Sequence, residues 1–204
     1  MPNERSRLLV ATGNKGKLSE LRDLLAGMPI DLLSLSDIGE FDTVEESGAT
    51  FAENAGLKAR GYALLTGLPT LADDSGLEVA ALDDRPGVLS ARYGGADLGF
   101  DKKMLKLLVE LEKTGDARRR ARFVCSLAIA DAAGEIVRAA EGICTGRIAE
   151  TPRGNGGFGY DPLFIPDGFD ETFGELASDI KQKISHRFLA FCEIIPFLRH
   201  FFAV

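Results

Sequence analysis

The apolar positions of the chain follow two rhythms. "RLLVAT" (Arg7 to Thr12) is a short unbroken apolar run of the kind a buried strand presents. In "GNKGKLSELRDLLAGM", directly after it, Leu18, Leu21, Leu24, Leu25 and Met28 recur at helical spacing, with Gly27 at the end. "IDLLSL" predicts a second strand. Thr50 and Glu53 form a capping-box pair, which predicts a helix from Thr50 to about Leu65 with Gly67 beyond it. "PTLAD" and "LEVAAL" read as two strands on either side of Asp74-Ser75-Gly76. A helix from Asp101 to Lys113 carries Met104, Leu105, Leu108 and Leu111 on one stripe.

The period then changes from 3.6 to 2. "RFVCSLAIAD" sets Phe123, Cys125, Leu127 and Ile129 against Val124, Ser126, Ala128 and Ala130. "EIVRAAEGICTG" follows across an Ala-Ala-Gly turn, so the two predict a hairpin. "YDPLFIP" reads as a last strand, and a terminal helix is expected to begin near Lys183 to His186, with Pro196 ending or kinking it. Helices alternating with strands early, and a hairpin later, predict an α/β fold with a mixed sheet. No repeat, linker or low-complexity segment interrupts it.

A chain of 204 residues with 45% hydrophobic and 27% charged positions fits one domain, with room for two lobes. The net charge of −7 argues against a general nucleic-acid binder, which needs a basic face. It leaves room for a small anionic substrate if a metal ion or a local basic cluster offsets the charge. The three cysteines, Cys125, Cys144 and Cys192, lack metal-ligand spacing and read as reduced, buried thiols of a cytoplasmic protein. "MPNERSRLLVATG" has no apolar core of a signal peptide, and Glu193, Pro196, Arg199 and His200 break "FLAFCEIIPFLRHFFAV" well short of a membrane span.

Five stretches carry candidate chemistry. "TGNKGK" (Thr12 to Lys17) stands where the first strand meets the first helix. Gly13 and Gly16 allow close backbone approach, Thr12 and Asn14 add hydrogen-bonding groups, and Lys15 and Lys17 add charge. The spacing is not that of a Walker A loop, and a surface turn with incidental lysines would look the same. In "EESGATFAENAGLKARGYA", Glu45 and Glu46 precede the helix, where acids commonly serve only its dipole. Lys58 lies inside that helix on the same face as Asn54.

In "PTLADDSGLEV", Asp73 and Asp74 fall at the end of an apolar run, a place where hard cations such as Mg²⁺ find oxygen ligands. A plain Asp-Ser-Gly turn is the alternative. "GNGGFGYDPLF" sets Phe158 among Gly154, Gly156, Gly157 and Gly159, as a stacking surface for a nucleobase or as a core ring on a turn. "KQKISHR" offers Lys181, Lys183, His186 and Arg187, which alone would pass for a solvated face.

In order, "ATGNKGKLSEL", "EESGATFAENAGLKAR", "LADDSGLEV", "PGVLSARYGG", "RFVCSLAI", "GGFGYDPLF" and "KQKISHR" resemble the inosine/xanthosine triphosphate pyrophosphatase family over about Leu8 to Leu198. These are house-cleaning enzymes for non-standard purine nucleoside triphosphates. The resemblance implies an elongated, two-lobed α/β protein with a central curved mixed sheet, flanking helices and the nucleotide in the cleft between lobes. It also implies a homodimer and Mg²⁺ dependence. Carried over, Thr12, Gly13, Asn14, Lys15, Gly16 and Lys17 would cradle the triphosphate. Glu46 and Asp74 would hold Mg²⁺, and Asp74 would orient or deprotonate the attacking water. Lys58 would reach the phosphates and Ser75 would touch the substrate. Phe158 would stack on the purine, Gly159, Tyr160 and Asp161 would line the base site, and Lys181, His186 and Arg187 would complete recognition. The expected reaction cuts between the α- and β-phosphates and leaves a monophosphate and pyrophosphate. The rivals are a pyrophosphatase for modified pyrimidines or other damaged nucleotides, and a non-catalytic nucleotide sensor on the same fold.

Overall fold

The unbroken apolar run of β1 (Ser6–Ala11) has the cause expected of it: parallel strands flank it on both sides. β2 (Ile30–Ser34) pairs with it in the register Leu8↔Leu32, and β3 (Thr70–Val79) in the register Val10↔Leu71. A computed structural model describes residues 6–39 and 42–202, so Ala203 and Val204, the end of the apolar C-terminal stretch, lie outside it. The later strands are β4 (Arg85–Pro86), β5 (Arg120–Ala130), β6 (Ile136–Ile148) and β7 (Phe164–Pro166). Their order in the sheet is β2-β1-β3-β5-β6-β7, with β4 antiparallel on the end of β3. β7 is antiparallel to β6, so the sheet is mixed, as predicted.

The helices are α1 (Lys15–Leu24), α2 (Leu35–Ile38), α3 (Phe51–Thr66), α4 (Phe100–Thr114), α5 (Ser178–Ile184) and α6 (His186–Phe201). The capping box of α3 is formed as read. Glu53 N–H donates to Thr50 Oγ1 at 3.1 Å, Thr50 N–H donates to Glu53 Oε2 at 3.2 Å, and Gly67 ends the helix at φ +65°. Such a cap is worth about 1 kcal/mol.

The chain divides into two compact units. One comprises residues up to Asp74, Cys125–Glu141 and the chain from Ala190 on; the other comprises Ser75–Val124 and Gly142–Leu189. The first unit has a core on each face of its strands. Leu8, Val10, Leu71, Cys125 and Leu127 pack with Leu21 and Leu25, at and just beyond the end of α1, and with Phe191 and Ile194 of α6. Leu9, Ala11, Ala72 and Ala128 pack with Ala55 and Ala59 of α3. The second unit has one core, in which Leu77, Val79, Phe123 and Phe164 meet Leu107 and Leu111 of α4.

Several expectations are corrected. No turn interrupts Asp74-Ser75-Gly76: β3 is one strand of 10 residues, buried or nearly so throughout. On α4 the buried stripe is Met104, Leu107, Leu108 and Leu111, and Leu105 points to solvent. In "YDPLFIP" a 3-10 turn at Asp161–Leu163 precedes the short β7. The terminal helix does begin at His186, within the expected span, but a separate α5 precedes it. Ser185 divides the two by leaving the helical conformation and accepting at Oγ from Phe188 N–H at 3.2 Å. Pro196 does not end α6. Its missing N–H would have met Cys192 four residues back, and both residues lie on the exposed face, where water can satisfy the freed carbonyl.

That outward face also corrects the cysteine reading. Cys125 and Cys144 are buried, but Cys192 is exposed, and none of the three is in a disulfide. Burial, with the Asp167 carboxylate nearby, pushes the Cys144 thiol up to about 12. A thiol reagent such as DTNB should therefore modify one cysteine of the folded protein quickly and the other two only on unfolding. Rapid reaction of all three would contradict this packing.

Candidate active site

Two adjacent carboxylates on one buried strand would repel if they shared a side. The pleat separates them, since neighbouring residues face opposite ways. Asp73 has the parity of Leu71, on the face covered by α1; Asp74 has the parity of Ala72, on the face covered by α3. Each acid meets a lysine from the helix on its own side. Lys17 Nζ is 2.7 Å from Asp73 Oδ1, and Lys58 Nζ is 3.0 Å from Asp74 Oδ1.

The first pair closes a short network. Cys125 Sγ, on β5 and on the same face, donates to Asp73 Oδ2 at 3.3 Å. Lys17 sits in the first turn of α1, and that turn is shaped by Asn14. The Asn14 Oδ1 accepts from Gly16 N–H at 2.9 Å and Lys17 N–H at 3.2 Å, while Asn14 N–H donates to Thr12 Oγ1 at 3.2 Å. Asn14 is thus the cap of α1, which turns the predicted phosphate loop into a fixed one. Lys15 and Gly13 are exposed, and a Cβ on Gly13 would meet no protein atom within 4 Å. Packing is therefore not what calls for glycine there.

The second pair has a third member. Lys58 Nζ also lies 3.4 Å from Glu46 Oε2, so one ammonium bridges the two acids expected to bind metal. Burial works against the Lys58 charge, but Asp74 and Glu46 outweigh it and hold the ammonium above its ordinary range. Burial pushes Asp74 up, by more than Lys58 and Lys17 draw it down. Asp74 Oδ2 is buried with no hydrogen-bond partner in the described structure. An orphaned buried carboxylate oxygen costs about 1–3 kcal/mol or more, and such an atom suits a ligand that arrives later. Among the described residues no three or more His, Cys, Asp and Glu are placed so that together they could hold a metal ion. Two carboxylates fit Mg²⁺, which keeps waters and takes phosphate oxygens in its remaining positions.

The second unit holds the other predicted residues. Asp161 Oδ2 accepts from Phe158 N–H at 2.7 Å and from Lys181 Nζ at 2.6 Å. A Cβ on Gly157, whose φ is +69°, would collide with that carboxylate, so the loop is tightly wound by necessity. Phe158 is half-buried and outside the core, with Lys181 Nζ 4.8 Å and Arg187 Cζ 5.8 Å from its ring centre. Arg187 is 1% exposed and donates to Ser75 Oγ at 2.9 Å. The other two side chains are packed away. His186 stacks on Phe123 at 4.7 Å, and Tyr160 lies in the core with its hydroxyl donating to Ser90 O at 3.1 Å. Tyr160 therefore anchors the loop beside Gly159 from beneath.

Sequence reasoning passed over three contributors. The resemblance gives Asp73 no role of its own, Asn54 marks only the face of Lys58, and no pattern marks Ser90. Ser90 Oγ accepts from Leu77 N–H at 2.9 Å and donates to Gly87 O at 2.7 Å, holding β3 to the segment after β4. Reading β3 as continuous would have assigned Asp73 by parity; nothing in one sequence marks Ser90.

The Lys17–Asp73 pair can be tested by denaturation. Lys17→Met leaves a buried anion without its cation and should cost about 3 kcal/mol, whereas Lys17→Met with Asp73→Leu should recover most of the loss. Equal losses in the single and double variants would show that the pair is not coupled.

Comparison with known proteins bears on this arrangement. The model of the Ham1 family matches residues 8–197. A dITP/XTP pyrophosphatase of Geobacter sulfurreducens is 49% identical over 89% of this chain and 91% of its own. The dITP/XTP pyrophosphatase of Rhodospirillum centenum is 48% identical over 92% of each chain. A HAM1 protein structure from Coxiella burnetii superposes with a TM-score of 0.88 at 38% identity, covering 96% of this chain and 99% of that one.

Proposed function

Because the chain belongs to the Ham1 family, we propose that it is a nucleoside-triphosphate pyrophosphatase that hydrolyses ITP, dITP, XTP and dXTP to the monophosphate and pyrophosphate. Such an activity keeps these nucleotides out of DNA and RNA. The observation that carries the reading is the buried Asp74, one oxygen bound to Lys58 and the other unpartnered, next to the capped loop from Thr12 to Lys17.

On this reading Asp74 Oδ2 accepts the proton of the attacking water, and burial helps by raising the basicity of the carboxylate. Lys17, Lys58 and the N–H groups at the start of α1 face the charge that builds on the phosphate chain. Glu46 and Asp74 would hold Mg²⁺, which when bound draws charge from the phosphate oxygens. In the second unit Phe158 offers its ring to the purine, while Lys181 and Arg187 supply donors, each fixed by its own partner, Asp161 or Ser75. Gly159 allows close approach of the base, and His186 and Tyr160 support the loop and helix from within. Hypoxanthine and xanthine carry an acceptor at position 6 where adenine carries a donor, so a site that donates there leaves a group unpaired with adenine. A homodimer acting in the cytoplasm completes the proposal; among the described residues no helix is long and apolar enough to cross a membrane.

Purified protein with Mg²⁺ should release pyrophosphate, not orthophosphate, from ITP, dITP and XTP, and turn over dUTP and dTTP far more slowly. Binding of ITP without any release would instead make the protein a sensor, and preference for a pyrimidine would sink the purine reading. Asp74→Asn should lower kcat by at least about 100-fold in protein that is still folded by circular dichroism. Phe158→Ala should raise KM for ITP by about 10-fold, the worth of one stacked base, with a smaller change in kcat.

A further inference from the structure

Glu46 lies in residues 42–50, a stretch without helix or strand, yet its carboxylate reaches Lys58 at 3.4 Å. Something other than secondary structure must hold it, and two contacts with α3 bracket it. On the N-terminal side Val44 rests against Gly61. A Cβ at Gly61 would come within 2.7 Å of Val44 Cγ2 and 2.9 Å of Cγ1, so only glycine lets this part of the segment lie so close to the helix. On the C-terminal side Gly48 N–H donates to Asn54 Oδ1 at 2.8 Å, and a Cβ at Gly48 would fall 2.7 Å from Glu53 Cβ. Asn54 is 1% exposed, one helical turn before Lys58 on the same face, which places its amide next to the acid cluster in sequence order along α3.

We infer that Asn54 and Gly61 are positioning residues for Glu46: they clamp the irregular segment onto α3 at two points, so that the Glu46 carboxylate stands beside Asp74 at Lys58. This rests on the proposed role of Glu46 and Asp74 as Mg²⁺ ligands. An irregular segment otherwise samples many conformations, and a carboxylate present at the site only part of the time binds a cation proportionally more weakly. The clamp removes that loss before any ligand arrives.

The test reads cation binding directly. Mn²⁺ is titrated by electron paramagnetic resonance into the protein holding the α,β-imido analogue of ITP, in which the scissile bridge cannot be cut. The expected result is that Asn54→Ala and Gly61→Ala each weaken Mn²⁺ binding by about 10-fold. Gly61→Ala combined with Val44→Ala should restore most of it, because the smaller side chain vacates the space the new methyl needs. Alanine for glycine inside a helix favours the helix, so a purely structural role predicts no loss of affinity for Gly61→Ala. Melting temperatures report whether each variant is folded, and the Gly61 pair decides the question if Asn54→Ala does not fold. Wild-type binding with unchanged affinity in folded variants overturns the clamp alone. Wild-type protein that binds no Mn²⁺ overturns the metal reading and the clamp with it.

Discussion

Two neighbouring carboxylates can be buried on one strand only if each finds a cation on its own side, and β3 meets that condition through its pleat. Asp73 turns to α1 and finds Lys17; Asp74 turns to α3 and finds Lys58. The parallel ladder of β1 with β3 sets this up, because the loop after β1 must start α1 next to the point where β3 reaches its acids. An unpaired charge at this depth would cost several kcal/mol, so the helices, the loop between β1 and α1 and the strand are fixed together.

The second unit also buries charge against a fixed partner. There Lys181 pairs with the equally buried Asp161, and Arg187 donates to the Ser75 hydroxyl. The aromatic ring between them is kept in place by its own backbone, through Phe158 N–H to Asp161, and not by core packing. A half-buried ring held this way is fixed in place without being packed into the core, with Lys181 and Arg187 over it.

Where physics is local, the sequence was informative. The capping box at Thr50 and Glu53, the alternation of β5 and the apolar run of β1 each name their element without knowledge of the rest. The errors arise where a distant contact overrides a local preference. Asp-Ser-Gly is turn-like by composition, yet β3 runs straight through it, with Ser90 and the ladder with β4 holding the residues directly after it, Leu77 to Val79. Leu105 is the exception, because Leu107 completes the i, i+3, i+4, i+7 spacing with Met104, Leu108 and Leu111, and the period alone favours it. The site was legible as residue types in order, through its family resemblance, but not as pairs. That Lys17 belongs to Asp73, and that Asn54 secures Gly48, depends on which faces meet, and one sequence does not carry that.

The bridging ammonium of Lys58 has a consequence for which molecules this cluster admits. Lys17 and Lys58 face Asp73, Asp74 and Glu46, so two positive charges stand against three negative ones. These five side chains therefore sum to −1, and their charges alone do not favour a bare polyphosphate. A divalent cation bound there would reverse the sign of the sum. On the proposed reading, a nucleotide that arrives with its counter-ion would therefore be favoured by charge over a bare one, whatever purine it carries.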